Sequence, residues 1–525
     1  MNLGRALGSV GGLTLASRVL GLVRDALFAR YIGASFASDA FLIAFRLPNM
    51  FRALFAEGAF SAAFIPMFNK KAAEADGDLR PALDFAEDAQ SVLLPVLIVM
   101  TAIMELAAWP VTYALSLGFN GISQDQFAFA VRLSRLTFPY LLLISLVSLL
   151  GGILNSIHKF WVNAAAPILL NLTLILALLL FHANDPLLTA QNQAIAVTVS
   201  GVLQLGWLWW ACRRNGVALR LRLPRLSPDV RRLLALIWPA AAGAGALQIN
   251  LLVSTALAAS LLPHGSVTYI YLADRVNQLP LGLIGIGLGT VLLPTVSRLL
   301  GAGDEAGAMN TQNRGLELAL FFTLPATVAL IVCGTPIVAA LFQHGKFTPD
   351  DSAATAQALA AFSVGLPSYI LVKVLTPGFY ARQDTKTPVR FATLSFGVNL
   401  LLNLAFILPL RHMGPPLATA LSSSINVWLL YSTLRKRGQF EPDQRLRRRT
   451  VRLAGAALLM GVTLYFLNDQ FTPYTTGIAW QRWAAMAVLV ATGGLVYAIA
   501  CLGLRAYLPS DLMAALGRRG RARQG

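Results

Sequence analysis

The chain has 525 residues, of which 56% are hydrophobic and only 13% charged, and its mean hydropathy is +0.64. This composition excludes an ordinary soluble enzyme, because a soluble chain of this length would expose large apolar patches. The formal net charge of +18 is typical of a nucleic-acid binder, but the placement of the basic residues argues against a nucleic-acid partner.

Apolar segments of membrane-spanning length recur along the chain and predict an all-α polytopic membrane protein. The first segment contains Arg18 and lacks a small-residue cleavage pattern, so we do not expect a cleaved signal peptide. We expect about fourteen transmembrane helices, near residues 8–30, 36–68, 86–116, 126–153, 160–182, 190–212, 232–262, 267–299, 313–342, 351–381, 388–410, 414–434, 450–468 and 481–507.

Lysine and arginine concentrate in the connections after even-numbered helices. The connections after the second, sixth and twelfth helices read NKKAAEADGDLR, RRNGVALRLRLPRLSPDVRR and RKRGQFEPDQRLRRRTVR, and the last segment reads GRRGRARQG. The opposite connections, such as SLGFNGISQDQ and HANDPLLTAQNQ, hold almost no basic residues. By the positive-inside rule, we expect both termini to lie in the cytoplasm. The basic charge therefore indicates topology rather than nucleic-acid binding.

The sequence contains an internal duplication. LLNLTLILAL at 169–178 returns as LLNLAFILPL at 401–410, which pairs Asn171 with Asn403, and matches at a near-constant offset extend through the flanking sequence. We therefore expect an N-terminal lobe of six helices at 1–220 and a C-terminal lobe of six at 221–440, followed by two additional helices and a basic tail at 441–525. Six is even, so the lobes are parallel repeats related by a pseudo-two-fold axis along the membrane normal, as in transporters that rock two halves about a central site.

Charged side chains interrupt the predicted spans at matching regions of both halves. Snorkelling at the membrane edge is one explanation, but an arginine at the bilayer centre costs about 2.5–3.5 kcal/mol, so the clustering favours a polar cavity. The guanidinium fork matches phosphate oxygens, so we expect an anion site for a phosphate or pyrophosphate, with carboxylates that hold the arginines or exchange partners with them. The candidate residues are Arg18, Arg24, Asp25, Asp39, Arg46, Arg52 and Glu57 in the first half, and Asp274 and Arg275 in the second.

Other chemistries have little support in the sequence. No Walker motif is present, so we do not expect this chain to hydrolyse ATP. The histidines and cysteines have no metal-ligand spacing, so we expect neither a metal site nor another cofactor.

Two motifs carry a family resemblance that covers essentially the whole chain. RLPNMFRALFAEGAFSAAFIPMF at 46–68 and FYARQDTKTPV at 379–389 resemble the MurJ (MviN) family of bacterial lipid II flippases. The family belongs to the multidrug/oligosaccharidyl-lipid/polysaccharide exporter superfamily. The resemblance implies a multi-pass protein of the bacterial inner membrane that moves undecaprenyl-pyrophosphate-linked disaccharide-pentapeptide from the inner to the outer leaflet for peptidoglycan synthesis. It also implies a groove for the polyprenyl tail in the last two helices, and partners that include lipid II, membrane lipids and other peptidoglycan-synthesis proteins.

The resemblance assigns roles to individual residues. It places the functional arginines at Arg18, Arg24, Arg52 and Arg275, with Asp25 and Asp39 as acidic members nearby. This chain has Gln278 where some members carry an acidic residue, which we count with Arg46 and Glu57 as additional cavity residues. Ser254 and Asn403, with Asn399 and Thr419 nearby, stand where other members bind sodium through carboxylates. We therefore expect membrane potential or a proton gradient to supply the energy.

Two alternatives remain open from the sequence. One is a flippase for another polyprenyl-linked glycan, which would share the fold and the anion site. The other is a non-transporting scaffold or enzyme of envelope assembly, which would leave the intramembrane arginines and the duplication unexplained.

Overall fold

The computed structural model describes residues 3–56, 59–75, 78–475 and 477–506. Within these ranges the regular elements are helices and no strand occurs, which confirms the all-α class. The helices in chain order are α1 Leu3–Ile32, α2 Phe36–Ala56, α3 Ala59–Glu74, α4 Arg80–Leu106, α5 Ala108–Ser116, α6 Gln124–Thr137, α7 Pro139–Ser156, α8 Phe160–Leu180, α9 Pro186–Arg214, α10 Pro228–Leu261, α11 Ser266–Gly301, α12 Glu305–Val332, α13 Gly334–Phe342, α14 Pro349–Val364, α15 Leu366–Tyr380, α16 Lys386–Leu410, α17 Gly414–Lys436, α18 Gln444–Thr475 and α19 Ala479–Gly503.

The long apolar helices confirm a polytopic membrane protein. Within the described ranges, nine helical stretches are long and apolar enough to cross a membrane. The expected total of about fourteen spans stays a prediction.

Four predicted helices are each divided in two by a short break. The breaks fall at Ala107, Phe138, Cys333 and Gly365. Proline explains two of them, because Pro139 and Pro367 occupy the first turns of α7 and α15 and cannot donate a backbone hydrogen bond to the preceding turn. The first and third breaks lie 226 residues apart, and the second and fourth 227 apart. These offsets match the sequence repeat.

Capping boxes are present at the N-termini of two helices, α6 and α14, that occupy corresponding positions in the two repeats. The Ser123 hydroxyl accepts from the Gln126 N–H at 3.2 Å, and the Gln126 side chain accepts from the Ser123 N–H at 3.0 Å, at the start of α6. Thr348 and Asp351 make the same reciprocal pair before α14. Such pairs satisfy backbone donors that the first turn leaves open. Ser123 and Thr348 lie 225 residues apart.

The chain forms two compact units. Unit 1 comprises Met1–Thr268 and His344–Phe347, and unit 2 comprises Tyr269–Gln343 and Thr348–Gly525. In unit 1, α8 packs against α1 and α9, α7 packs against α2 and α9, and α10 packs against α2, α3, α4 and α5. In unit 2, α12 packs against α15 and α18, α16 against α17, and α18 against α19. The lobe limits at 220 and 440 stay predictions.

Candidate functional site

Arg24 is held in place by two polar partners in unit 1. Its Nε and Nη2 atoms donate to the adjacent Asp25 carboxylate at 3.0 and 2.7 Å, and its Nη1 donates to the Asn171 amide oxygen at 3.1 Å. The Asn171 amide nitrogen donates in turn to the Ser17 carbonyl at 2.9 Å. The side chains of Arg24 and Asp25 are only 11% and 4% exposed. The packing of α8 on α1 therefore fixes a largely buried guanidinium group beside a buried carboxylate.

Arg52 lies on α2, which packs against α7. Tyr140 of α7 is fully buried, and its ring centroid lies 6.2 Å from that of Phe45 on α2. The Gln204 amide of α9 donates to the Tyr140 hydroxyl at 3.4 Å. Arg52 itself donates from Nε to the Asn49 side-chain oxygen at 3.1 Å, one turn earlier on α2. The structure thus places two of the predicted arginines in unit 1, Arg24 on α1 and Arg52 on α2.

The sequence did not single out Tyr140 and Gln204. Asn171 had a signal, since it is a polar residue in an apolar run and has a counterpart in the repeat. Tyr140 and Gln204 had none, because their contact joins residues 64 positions apart.

Three further predicted residues of the first half are Arg18, Arg46 and Glu57. Arg18 lies on α1 six residues before Arg24, with an exposed side chain, and Arg46 is half-buried on α2. Glu57 lies outside the described residues. Their predicted roles in a cavity stay predictions.

Asp39 caps the start of α11. One carboxylate oxygen accepts from the Gly265 N–H at 2.7 Å, and the other accepts from the Thr268 N–H at 2.9 Å and the Thr268 hydroxyl at 2.7 Å. Asp39 is 2% exposed, so these bonds satisfy a carboxylate that would otherwise be costly to bury. The structure therefore gives Asp39 a capping role, and its predicted contact with substrate stays a prediction.

The predicted charges of unit 2 are arranged along α11. Arg275 stacks its guanidinium over the Tyr271 ring at 4.8 Å from the centroid and donates to the Tyr271 hydroxyl at 3.0 Å. Gln278 donates from its amide to the Asp274 carboxylate at 2.5 Å. Both pairs have the i,i+4 spacing that places side chains on one helix face. The Gln278 amide thus holds the Asp274 carboxylate on α11.

A neutral polar cluster joins α16 and α17 around Asn399 and Asn403. The Asn403 amide donates to the Asn399 side-chain oxygen at 2.8 Å, and the Asn399 amide lies 3.3 Å from the hydroxyls of both Thr419 and Ser422. Across the part of the chain that the structure describes, no group of three or more His, Cys, Asp or Glu side chains is placed to hold a metal ion. The expected absence of a sodium site stays a prediction.

Comparisons with known proteins agree with the sequence motifs. The family described as Lipid II flippase MurJ matches residues 28–484. A protein of Rhizobium tropici named probable lipid II flippase MurJ is 41% identical over 476 residues, which is 90% of this chain and 88% of that protein.

Two solved structures are similar to this chain. A structure described as lipid II flippase MurJ in an inward closed conformation has a TM-score of 0.76 and 25% identity, and the match covers 94% of this chain and 98% of that one. A multidrug resistance MATE family transporter, at 15% identity and a TM-score of 0.64 over 81% of this chain and 95% of its own, shares the fold. On these grounds the chain belongs to the lipid II flippase MurJ family.

Proposed function

We propose that this chain is a lipid II flippase, a transporter that moves the undecaprenyl-pyrophosphate-linked peptidoglycan precursor from the inner to the outer leaflet of the bacterial cytoplasmic membrane. The family match over residues 28–484 supports this function. The observation that carries the mechanism is the guanidinium group of Arg24 on α1, whose side chain is only 11% exposed and is held by Asp25 and by Asn171 of the apolar helix α8.

The substrate presents a specific physical problem. Moving an ionised pyrophosphate through hydrocarbon costs tens of kcal/mol by Born-type estimates. Guanidinium groups that are already desolvated and oriented replace the water of the pyrophosphate while the polyprenyl tail stays in lipid. Arg24 and Arg52 supply such groups from unit 1, and Asp25 holds Arg24 until the phosphate oxygens compete for it. We retain Arg275 as the predicted contributor from the second repeat.

Alternating access then moves the head group across the membrane. We propose that an inward-open state captures the pyrophosphate, and that rocking of the two repeats exposes it to the outside. We place both termini in the cytoplasm, following the Lys and Arg content of the connections. A negative cell interior favours export of an anion by about 2.3 kcal/mol per charge per 100 mV.

The test is reconstitution in liposomes with labelled lipid II, measuring its appearance in the outer leaflet with and without an imposed potential. We expect wild type to deliver lipid II, and Arg24→Ala, Arg52→Ala and Arg275→Ala to lose delivery at equal protein incorporation. Arg390→Ala, which removes an exposed arginine of α16, is the matched control and should keep wild-type delivery.

Two results would contradict the proposal. Full delivery by the three arginine variants would remove the role of the guanidinium groups. Export of another polyprenyl-linked glycan without export of lipid II would favour the alternative substrate.

A further inference from the structure

A buried glutamate of unit 1 binds the segment that leaves the first repeat. Glu87 of α4 is 0% exposed, and its carboxylate lies 2.6 Å from Nη2 of Arg222 and accepts the backbone N–H of Arg220 at 3.1 Å. Arg222 also pairs with Asp84 at 2.6 Å and with Asp88 at 3.4 Å. The three acidic residues share one stripe of α4, so the connection between α9 and α10 is fastened along that stripe.

A second buried glutamate does the same in unit 2. Glu317 of α12 is 2% exposed and forms ion pairs with Arg314, Arg449 and, at 3.3 Å, Arg445. Arg314 also pairs with Asp443, just before α18. The segment that follows the second repeat is therefore anchored to α12 by ion pairs.

The two glutamates are equivalent by the internal duplication. Glu87 and Glu317 lie 230 residues apart, close to the offset of the repeat, and each lies on the third helix of its predicted half. Each binds arginines from the segment that follows the sixth helix of that half. A carboxylate is costly to bury unless it is paired, and a buried pair is weak evidence for a purely stabilising role. The recurrence of such a glutamate–arginine pair at equivalent positions of both repeats points to a specific role.

We propose that Glu87 and Glu317 are equivalent positioning residues. Each anchors the segment that follows its repeat to the third predicted helix of that repeat, at α4 in the first repeat and at α12 in the second. The connection to α10 then follows the first repeat, and the α18–α19 pair follows the second, as the repeats move. This inference rests on the proposed function, since it concerns movement of the repeats during transport. The pairs themselves can be tested independently of transport.

The experiment uses the full chain with each pair neutralised, as Glu87→Gln with Arg222→Gln and as Glu317→Gln with Arg449→Gln. Neutralising both partners leaves neither of the two side chains as a buried unpaired charge, so these variants should fold. The matched controls are Glu74→Gln and Glu305→Gln, which change ion-paired carboxylates that are 61% and 63% exposed.

Three measurements separate positioning from folding and from substrate binding. Trypsin cleavage of detergent-solubilised protein within 220–225 or 441–449 should be about tenfold faster in the corresponding variant, since cleavage follows the population of the opened segment. Lipid II delivery in liposomes should fall by about tenfold, while lipid II binding in detergent stays within about twofold of wild type. The controls should match wild type in all three.

Other outcomes would overturn the inference. Unchanged cleavage in the neutralised variants would show that the glutamates do not hold the segments. A parallel loss of binding and delivery would place their effect on the fold or the substrate site. Glu317→Asp keeps the charge and should retain most delivery, so a loss as large as in the neutral variant would also count against the proposal. If wild type moves no lipid II, the proposed function fails while the cleavage result still decides whether the segments are held.

Discussion

The amide of Asn171 should determine how well Arg24 binds the substrate. Asn171→Leu keeps a similar volume but removes the acceptor that lies 3.1 Å from Nη1 of Arg24 and the donor that bonds the Ser17 carbonyl. A hydrogen bond to a charged group contributes about 1.5–3 kcal/mol. If this whole contribution serves to orient the guanidinium group of Arg24, the affinity of Asn171→Leu for lipid II should be about 10- to 150-fold lower than that of wild type.

The internal duplication supplies a matched control for this change. Asn403 is the repeat counterpart of Asn171, is 1% exposed, and donates to Asn399 at 2.8 Å. Asn403→Leu should therefore lower stability while leaving lipid II affinity near the wild-type value. Affinity is measured by titration of lipid II into detergent-solubilised protein, and stability by thermal unfolding of the same samples. Wild-type affinity in Asn171→Leu, or equal losses of affinity in both variants, would refute the reasoning.

Three further substitutions test other parts of the structure by their effect on stability. Asp39→Asn replaces an accepting oxygen with an amide that faces backbone N–H donors, and should lower the free energy of unfolding by about 1–3 kcal/mol in denaturant titrations; an unchanged value would contradict the capping role. The hydrogen bond from Arg437 and those from Thr387 lower the pKa of Asp384 from 3.8 to about 2. A carboxylate with a lowered folded-state pKa contributes its full stabilisation above its unfolded-state pKa. This stabilisation is lost as the pH falls through the folded-state pKa. The excess melting temperature of wild type over Asp384→Asn should therefore shrink between about pH 4 and pH 2, and an equal gap at pH 7 and pH 3 would contradict this origin. Gly201→Val would place a Cβ 2.8 Å from the Tyr140 ring, and the overpacking should lower the free energy of unfolding by about 1–3 kcal/mol. A melting temperature equal to that of wild type would show that the Tyr140 ring moves aside without cost.

Local pairs at the candidate site follow the sequence spacing, whereas long-range pairs do not. Arg275 with Tyr271, and Asp274 with Gln278, are four residues apart on one helix, so a helical prediction is enough to place them together. The partner of Arg24 on α8 is 147 residues away. Only the duplicated Asn171 gave a hint of it, because a lone amide in an apolar run has to find a partner when it is buried.

The same distinction applies to carboxylates whose partners lie far along the chain. Hydropathy predicted the helices, since apolar length alone selects them. It could not predict that Asp39 caps residues 226 and 229 positions further on, or that Glu87 binds a connection more than 130 residues away. A carboxylate in a membrane helix has the same sequence pattern whether it binds substrate, an arginine or a helix end. Its role depends on the packing of distant segments.

The central claim is that arginine side chains within the membrane bind the pyrophosphate of the substrate. The most direct measurement compares the affinity of wild type and Arg24→Ala, in nanodiscs, for lipid II and for a polyprenol of the same length without phosphate. Wild type should prefer lipid II by at least about tenfold, and Arg24→Ala should lose most of that preference while binding the polyprenol as wild type does. An undiminished preference in Arg24→Ala would contradict the account.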